Sequence, residues 1–331
     1  MRLLAGDIGG TKTLLQIADC QAGRCRAVHT QRFDSGSHDS LSSIIREFLK
    51  DEKNKTIKAA CFGIAGPIRE TAKGQSVKVT NLPWEIHGRE LKRRFKLSRL
   101  ALINDFQAVG YGMAALGRKD LVVLQNGKTV KRGPRAVIGA GTGLGQGLLV
   151  WNRDHYVPIA TEGGHANFAP VNDLQIDLMR YLLKTAGRTS WELVLSGHGL
   201  VRLYTFLKER GVASESPAVA KAMQAGDPAA AITRAALEQN DALANQTLDL
   251  FVDIYGAQAG NLALTAGAIG GVYIAGGIAP KIISRLTDGR FLRAFRNKGK
   301  MSSYVETIPV QVVTRPEVGL IGAALAATRL K

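Results

Sequence analysis

The sequence predicts an α/β protein of two lobes, each built on a copy of one core, with a ligand cleft between them. Three observations carry this. Both halves open in one order, strand, glycine-rich hairpin, strand: Leu3 to Asp7, Gly9-Gly10 and Thr13 to Ala18, then Ala136 to Ile138, the glycines of 139–147 and Leu148 to Trp151. A repeated order of elements signals internal duplication even where few residues are identical. Apolar runs stop abruptly at polar residues, as in Leu100-Ala101-Leu102-Ile103-Asn104-Asp105, the pattern of buried strands that deliver ligand groups at their carboxyl ends. Finally, 331 residues of which 45% are hydrophobic and 21% charged can bury a large core and divide into two domains. The expected division is a small α/β domain of 1–104 with 318–331 and a large one of 105–317.

Taken in order, Leu3 to Asp7 and Thr13 to Ala18 form a hairpin, and a third strand covers Arg26 to Phe33. A helix starts near Ser40, with Leu41, Ile44, Ile45, Phe48 and Leu49 on one face. Ile57 to Ile64 reads as a buried strand, and a basic helix near Arg89 to Phe95 leads into the strand that ends at Asp105. In the second half the glycine turn spans Gly139 to Gly147, and Tyr156 to Ala160 is another strand. Beyond Asn167 the chain turns helical: Asn172 caps a helix ending near Gly187, a second runs from Leu200 to Lys208, and the alanine-rich region from Pro217 to Ala266 holds several more. Val272 to Ala275 is a buried strand opening onto Gly276-Gly277, Pro280 starts a helix, Ile308 to Val313 is a strand, and Val318 to Leu330 is a closing helix that packs on the first lobe.

The net charge of +17 concentrates in Arg89 to Arg99, Lys128 to Arg135 and Arg285 to Lys300. These runs carry no interleaved aromatics and no nucleic-acid module, so they read as solvated surface that also attracts an anionic nucleotide. The first charge follows Met1 directly and no stretch of about 18 apolar residues occurs, which argues against a signal peptide and a membrane span. The expectation is a cytoplasmic protein with no nucleic-acid or membrane partner. Three cysteines make no disulfide framework. Cys20, Cys25 and His29 are close in sequence, but a structural zinc needs a fourth ligand and tighter spacing.

Four stretches carry chemistry. Asp7-Ile8-Gly9-Gly10-Thr11-Lys12-Thr13 places small residues where backbone amides can meet phosphate oxygens, beside a hydroxyl and an ammonium. It is not a P-loop, because Thr11 precedes Lys12 and a strand follows. A plain hairpin explains the glycines but not Asp7 at the strand end, a position suited to Mg²⁺ held through water. Gly139-Ala140-Gly141-Thr142-Gly143-Leu144-Gly145 fails as a dinucleotide fingerprint in every register, and no helix follows it. Glu162-Gly163-Gly164-His165 combines a carboxylate and an imidazole, the acceptors and donor that vicinal hydroxyls need, with glycines that let the backbone approach a ligand. Glu192, between Trp191 and Leu193-Val194-Leu195, requires a partner. Asp105 between such cradles suits a general base; its alternative role is the N-cap of a helix from Phe106 to Leu116.

Six segments stand in a fixed order: Gly6-Asp7-Ile8-Gly9-Gly10-Thr11, Ile103-Asn104-Asp105-Phe106, Gly139 to Gly145, Glu162 to His165, Leu195-Ser196-Gly197 and Ile274-Ala275-Gly276-Gly277-Ile278. In this set the chain resembles bacterial glucokinases of the non-ROK type, in the actin- and hexokinase-like (ribonuclease H-like) ATPase superfamily, over nearly its whole length. The resemblance implies duplicated βββαβα cores and ATP-dependent phosphorylation of D-glucose at its 6-hydroxyl. It implies that Gly9, Gly10, Thr11 and Lys12, with Gly141, Thr142 and Gly143, hold the nucleotide phosphates, and that Gly276 and Gly277 lie near the adenosine. It further implies Asn104, Asp105, Glu162, His165 and Glu192 on the glucose hydroxyls, with Asp105 as the base. Lys12-Thr13 and His198 depart from the family pattern, and the cysteine cluster of ROK sugar kinases is missing. Alternatives are a kinase for fructose, mannose or an amino sugar, or a non-catalytic sugar sensor; monomer and homodimer are both open.

Overall fold

The structure, a computed structural model, describes residues 1–21, 23–50 and 57–330. Its first half contains β1 (Arg2–Ile8), β2 (Lys12–Gln21), β3 (Arg24–Asp34), α1 (Leu41–Phe48), β4 (Ala59–Ile64), β5 (Arg69–Thr71), β6 (Gly74–Lys78), β7 (Glu85–His87), α2 (Gly88–Arg94), β8 (Arg99–Asn104) and α3 (Asp105–Gly112). There follow β9 (Leu121–Gln125), β10 (Arg135–Ala140), β11 (Leu144–Asn152), β12 (His155–Thr161), α4 (Asp173–Ala186), α5 (Gly197–Glu209), α6 (Pro217–Ala225), α7 (Pro228–Glu238) and α8 (Ala242–Ala266). The chain ends with β13 (Val272–Ala275), α9 (Ile283–Leu286), α10 (Arg290–Arg296), α11 (Ser302–Glu306), β14 (Val310–Val313) and α12 (Val318–Ala327). It divides into one unit of Met1–Gly117, Asn152–Ala160 and Arg315–Lys331 and another of Arg118–Trp151 and Thr161–Thr314.

In the first unit a five-stranded sheet has the order β3-β2-β1-β4-β8. β1 and β2 form the hairpin, while β1, β4 and β8 run parallel with Ile8, Ile64 and Asn104 in register at their carboxyl ends. β4 is buried along its whole length, as a central parallel strand must be. One face of the sheet receives Leu41, Ile44, Ile45 and Phe48 of α1, which Ser40 caps through Ser43 N–H. The other receives α12, whose alanines pack on Leu3, Ala5 and Ala108. This helix lies against α3 at van der Waals limits: a Cβ on Gly322 would sit 1.7 Å from Ala108 O, and one on Gly112 2.1 Å from Val318 O. The close approach places Gly319 beside the Asp7 carboxylate. So the closing helix does pack on the first unit.

The second unit repeats the plan, with β11-β10-β13-β14-β9 as the order of its strands. β10 and β11 are the hairpin, β10, β13 and β14 are parallel, and β9 adds an antiparallel edge. Behind them α8 is buried around most of its circumference, from Leu243 to Ala263. The predicted helix after Asn172 is found, capped by the Asn172 side chain and closed by Gly187 at φ 70.

Four readings change. The turn between β10 and β11 is only Gly141 to Gly143, because the flanking glycines are paired strand residues. A small sheet of β5, β6 and β7 appears where no strand was expected. α3 begins at Asp105, and the cap is Asn104, whose Oδ1 accepts from Phe106 N at 2.9 Å and Gln107 N at 3.3 Å. Cys20 and Cys25 face each other across the β2–β3 hairpin and are joined as a disulfide, which leaves neither as a thiolate ligand. Among the described residues no helix is long and apolar enough to cross a membrane.

Candidate active site

The predicted residues fall into two sets, one in each unit. In the first, Asp7 stands one residue before the end of β1 and Asn104 ends β8, at the same carboxyl edge with β4 between them. Asp105 follows directly as the first residue of α3, its Oδ1 accepting the N–H of Phe106 at 2.9 Å. Asp7 is partly buried; burial pushes its carboxyl up from the usual carboxylate range, and the Lys12 ammonium pulls it back down. A magnesium ion fits there: the donor is a hard oxygen, and a nearby cation would restore the charge that burial disfavours.

Between β1 and β2 the turn Gly9-Gly10-Thr11 is closed by Gly9 N–H donating to Lys12 O at 3.0 Å. Ser35, not foreseen as part of this loop, holds it from behind together with Thr13. Ser35 Oγ donates to Gly9 O at 2.9 Å, Ser35 N–H donates to Thr11 O at 3.1 Å, and Thr13 Oγ1 lies 2.9 Å from Ser35 Oγ. Thr13 and Ser35 are fully buried, whereas Thr11 and Lys12 are exposed. The loop is thus pinned on its inner side and presents an amide-rich, cationic outer side. The one sequence signal for Ser35 is its place in the turn-forming run Asp34-Ser35-Gly36-Ser37.

In the second unit the turns after β10 and β13 are neighbours. Gly276 has φ 83, and a Cβ there would meet Ala140 O at 2.4 Å. Ile278 N–H reaches that carbonyl at 3.2 Å. Where the two strands part, the buried hydroxyl of Tyr255 on α8 takes the place of a ladder bond. It accepts from Ala140 N at 3.1 Å and lies 3.4 Å from both Ile138 O and Ala275 O. Gly141 N–H donates to Gly143 O at 2.8 Å, and Gly141 O accepts from Gly197 N–H at 2.8 Å, at the start of α5. Thr142 is exposed at the tip, and no atom lies within 4 Å of the Cβ position of Gly141 or Gly277. These are open backbone surfaces of the kind that accept phosphate and ribose.

Glu162, His165 and Glu192 come together. His165 Nε2 is 3.9 Å from Glu162 Oε2, and its Nδ1 is 3.8 Å from Glu192 Oε1. The glycines between Glu162 and His165 have a different use from the one expected. A Cβ on Gly164 would lie 2.1 Å from Leu144 O, and one on Gly163 2.6 Å from Gln146 Oε1, so they let the turn press onto β11 rather than onto a ligand. Arg188 donates to His165 O at 2.9 Å and Glu192 N–H to Gly164 O at 2.8 Å, fixing the cluster on its backbone side. About a third to two thirds of each of the three side chains stays exposed.

Two glycine turns on duplicated cores, a carboxylate closing a parallel strand and a carboxylate–imidazole–carboxylate cluster define a sugar kinase of the actin- and hexokinase-like class. The chain belongs to the glucokinase family, whose sequence model, described as glucokinase, matches residues 4–330. It is similar to the glucokinase of Trichormus variabilis, 45% identical over 343 residues and covering 99% of each chain. It is likewise similar to that of Nostoc punctiforme, 45% identical over 342 residues with 99% of each covered. Among solved structures, the glucokinase from an Antarctic psychrotroph matches with a TM-score of 0.83 at 33% identity, covering 99% of this chain and 98% of that one.

Proposed function

We propose that the protein transfers the γ-phosphoryl group of ATP to the 6-hydroxyl of D-glucose, giving glucose 6-phosphate and ADP at the entry to glycolysis. The observation that carries the reading is Asp105, a carboxylate that directly follows the carboxyl end of a parallel strand in a chain that belongs to the glucokinase family. In the reaction O6 of glucose attacks the γ-phosphorus, the bond to the β-phosphate oxygen breaks, and ADP leaves with the electron pair. The hydroxyl proton passes to Asp105. Because the transition state is loose, Asp105 acts mainly by orienting the hydroxyl and accepts the proton late.

Charge on the transferring group is met by fixed donors: the N–H groups of Gly10, Thr11, Thr142 and Gly143, the hydroxyls of Thr11 and Thr142, and the Lys12 ammonium. Gly276 and Gly277 face the adenosine. Mg²⁺, held through water by Asp7, neutralises phosphate charge when bound. Asn104 uses its side-chain oxygen for the cap, so its amide hydrogens remain for a sugar hydroxyl. Glu162, His165 and Glu192 take the other hydroxyls. A cytoplasmic location, where ATP is supplied, is part of this proposal.

The test is ATP consumption against a panel of glucose, fructose, mannose and glucosamine. Glucose is expected to give the highest kcat/KM, since a site built to hydrogen-bond hydroxyls discriminates by roughly 10⁴-fold or more when one is missing. A higher value for another hexose would reassign the substrate, and no turnover with any sugar would leave a sensor.

A further inference from the structure

Glu192 is the one residue of the sugar cluster that also touches a nucleotide loop. Its Oε2 accepts the N–H of Leu144 at 3.0 Å, directly after Gly141-Thr142-Gly143, while its Oε1 faces His165 Nδ1 at 3.8 Å. Gly143 makes room for this arrangement: a Cβ built there would stand 2.4 Å from Glu192 Oε2 and 3.3 Å from its Cδ. The residue is tied down along its backbone as well, by Glu192 N–H to Gly164 O at 2.8 Å and Ser196 Oγ to Glu192 O at 2.8 Å. Only the carboxylate is left to move, and its two oxygens serve different neighbours.

We propose that Glu192 couples the two substrates, one oxygen holding the phosphate loop through Leu144 N–H and the other binding the sugar, with Gly143 as a positioning residue for the sugar site. This rests on the reading that Glu192 contacts glucose and that the loop holds the nucleotide. A sugar that fixes the carboxylate also fixes the loop, so glucose lowers the cost of ordering Thr142 and Gly143 around a phosphate. Linkage makes the effect reciprocal: the factor by which glucose tightens the nucleotide equals the factor by which the nucleotide tightens glucose, typically about fivefold to 150-fold for coupled sites.

Calorimetry with glucose and a non-hydrolysable ATP analogue, each alone and in the presence of the other, tests the proposal. The wild-type protein is expected to give equal factors of about fivefold or more in both directions. Gly143→Ala displaces the end of a flexible side chain and not backbone, so the fold should persist. Its decisive readout is glucose affinity with no nucleotide present, where damage to the phosphate loop has no effect. We expect that affinity to fall at least about tenfold, with the coupling factor near one. Glu192→Asp keeps the charge but is one methylene too short to reach both neighbours; its coupling factor should also fall to about one. Glu192→Gln is the control for the underlying reading. If it leaves glucose binding unchanged, the sugar assignment of Glu192 fails and the coupling with it. If it weakens glucose binding while Gly143→Ala binds glucose normally, or while wild type and Glu192→Asp show the same factor, the assignment stands and the coupling is overturned.

Discussion

The two glycine turns occupy equivalent places in duplicated cores, yet they are anchored by different chemistry. Gly9 to Thr11 is held by Thr13, on its own hairpin, and by Ser35, directly after β3, both neutral and buried. Gly141 to Gly143 is held by residues far along the chain, the Tyr255 hydroxyl from α8 and the Glu192 carboxylate from the sugar cluster. The first loop therefore rests on two neutral, buried hydroxyls. The second rests on Tyr255 and on Gly197 N–H at Gly141 O, and on the coupling proposed above its third support, Glu192, responds to sugar. Duplication supplied the backbone plan, and on the proposed coupling the supports that diverged decide which loop senses the other substrate.

The largest break in this comparison comes from Tyr255→Phe, which removes the hydroxyl that accepts the buried amide of Ala140 while keeping the ring in place. An unsatisfied buried donor costs about 1–3 kcal/mol. We expect a loss of stability in that range by denaturant titration and a KM for ATP raised roughly tenfold, about 1.4 kcal/mol, with KM for glucose little changed. Ser35→Ala should do less, because the backbone bond from residue 35 N–H to Thr11 O still holds the loop. A loss of about 1 kcal/mol and a rise in KM for ATP of about threefold are expected, with the coupling between glucose and nucleotide intact. Steady-state kinetics on the two variants separates the loops: equal sensitivity to glucose in both would remove the distinction.

The smallest effect concerns His38, at the end of the hairpin that supports the first loop. The Asp34 carbonyl 2.9 Å from Nδ1 holds its pKa above 6.5; burial opposes this, and Glu47 at 3.1 Å from Nε2 adds to it. A raised folded-state pKa means stability that is fully present below the unfolded value and lost as pH rises through the folded one. The gap in stability between wild type and His38→Gln should thus be widest near about pH 5.5 and close by about pH 8.5, followed by urea unfolding across that range. No comparable pH dependence is expected for Ser35→Ala.

What was legible in the sequence follows physical lines. β4, β8, β10 and β13 are short apolar runs that end at polar residues or glycine, and α4 carries both its Asn172 cap and its Gly187 stop, so local chemistry announced them. β5 and β7 are three residues each and largely exposed, with no alternation to detect. α8 was only part of an alanine-rich region because burial on most sides removes the polar face that marks a helix. Within the site, motif residues were readable because glycines and carboxylates stand out at strand ends. Tyr255 and the Cys20–Cys25 pair were not, since their roles depend on register and packing that no local pattern encodes. Asn104 as the cap of α3 was missed for a smaller reason: two capping residues adjoin, and the backbone turns one residue earlier than supposed.

Asp105→Asn measures most directly the proposed transfer of the 6-hydroxyl proton to Asp105. Asn104 caps α3, so the substitution leaves the cap alone and keeps the side chain's size. Removing a general base costs about 10²- to 10⁴-fold in rate, and lost orientation adds to that. With kcat, glucose affinity and melting temperature measured on one preparation, we predict a kcat at least about a hundredfold lower, glucose affinity changed far less and an unchanged melting temperature. Near-normal turnover would contradict the claim, and a melting temperature that falls in proportion to activity would assign Asp105 to structure instead.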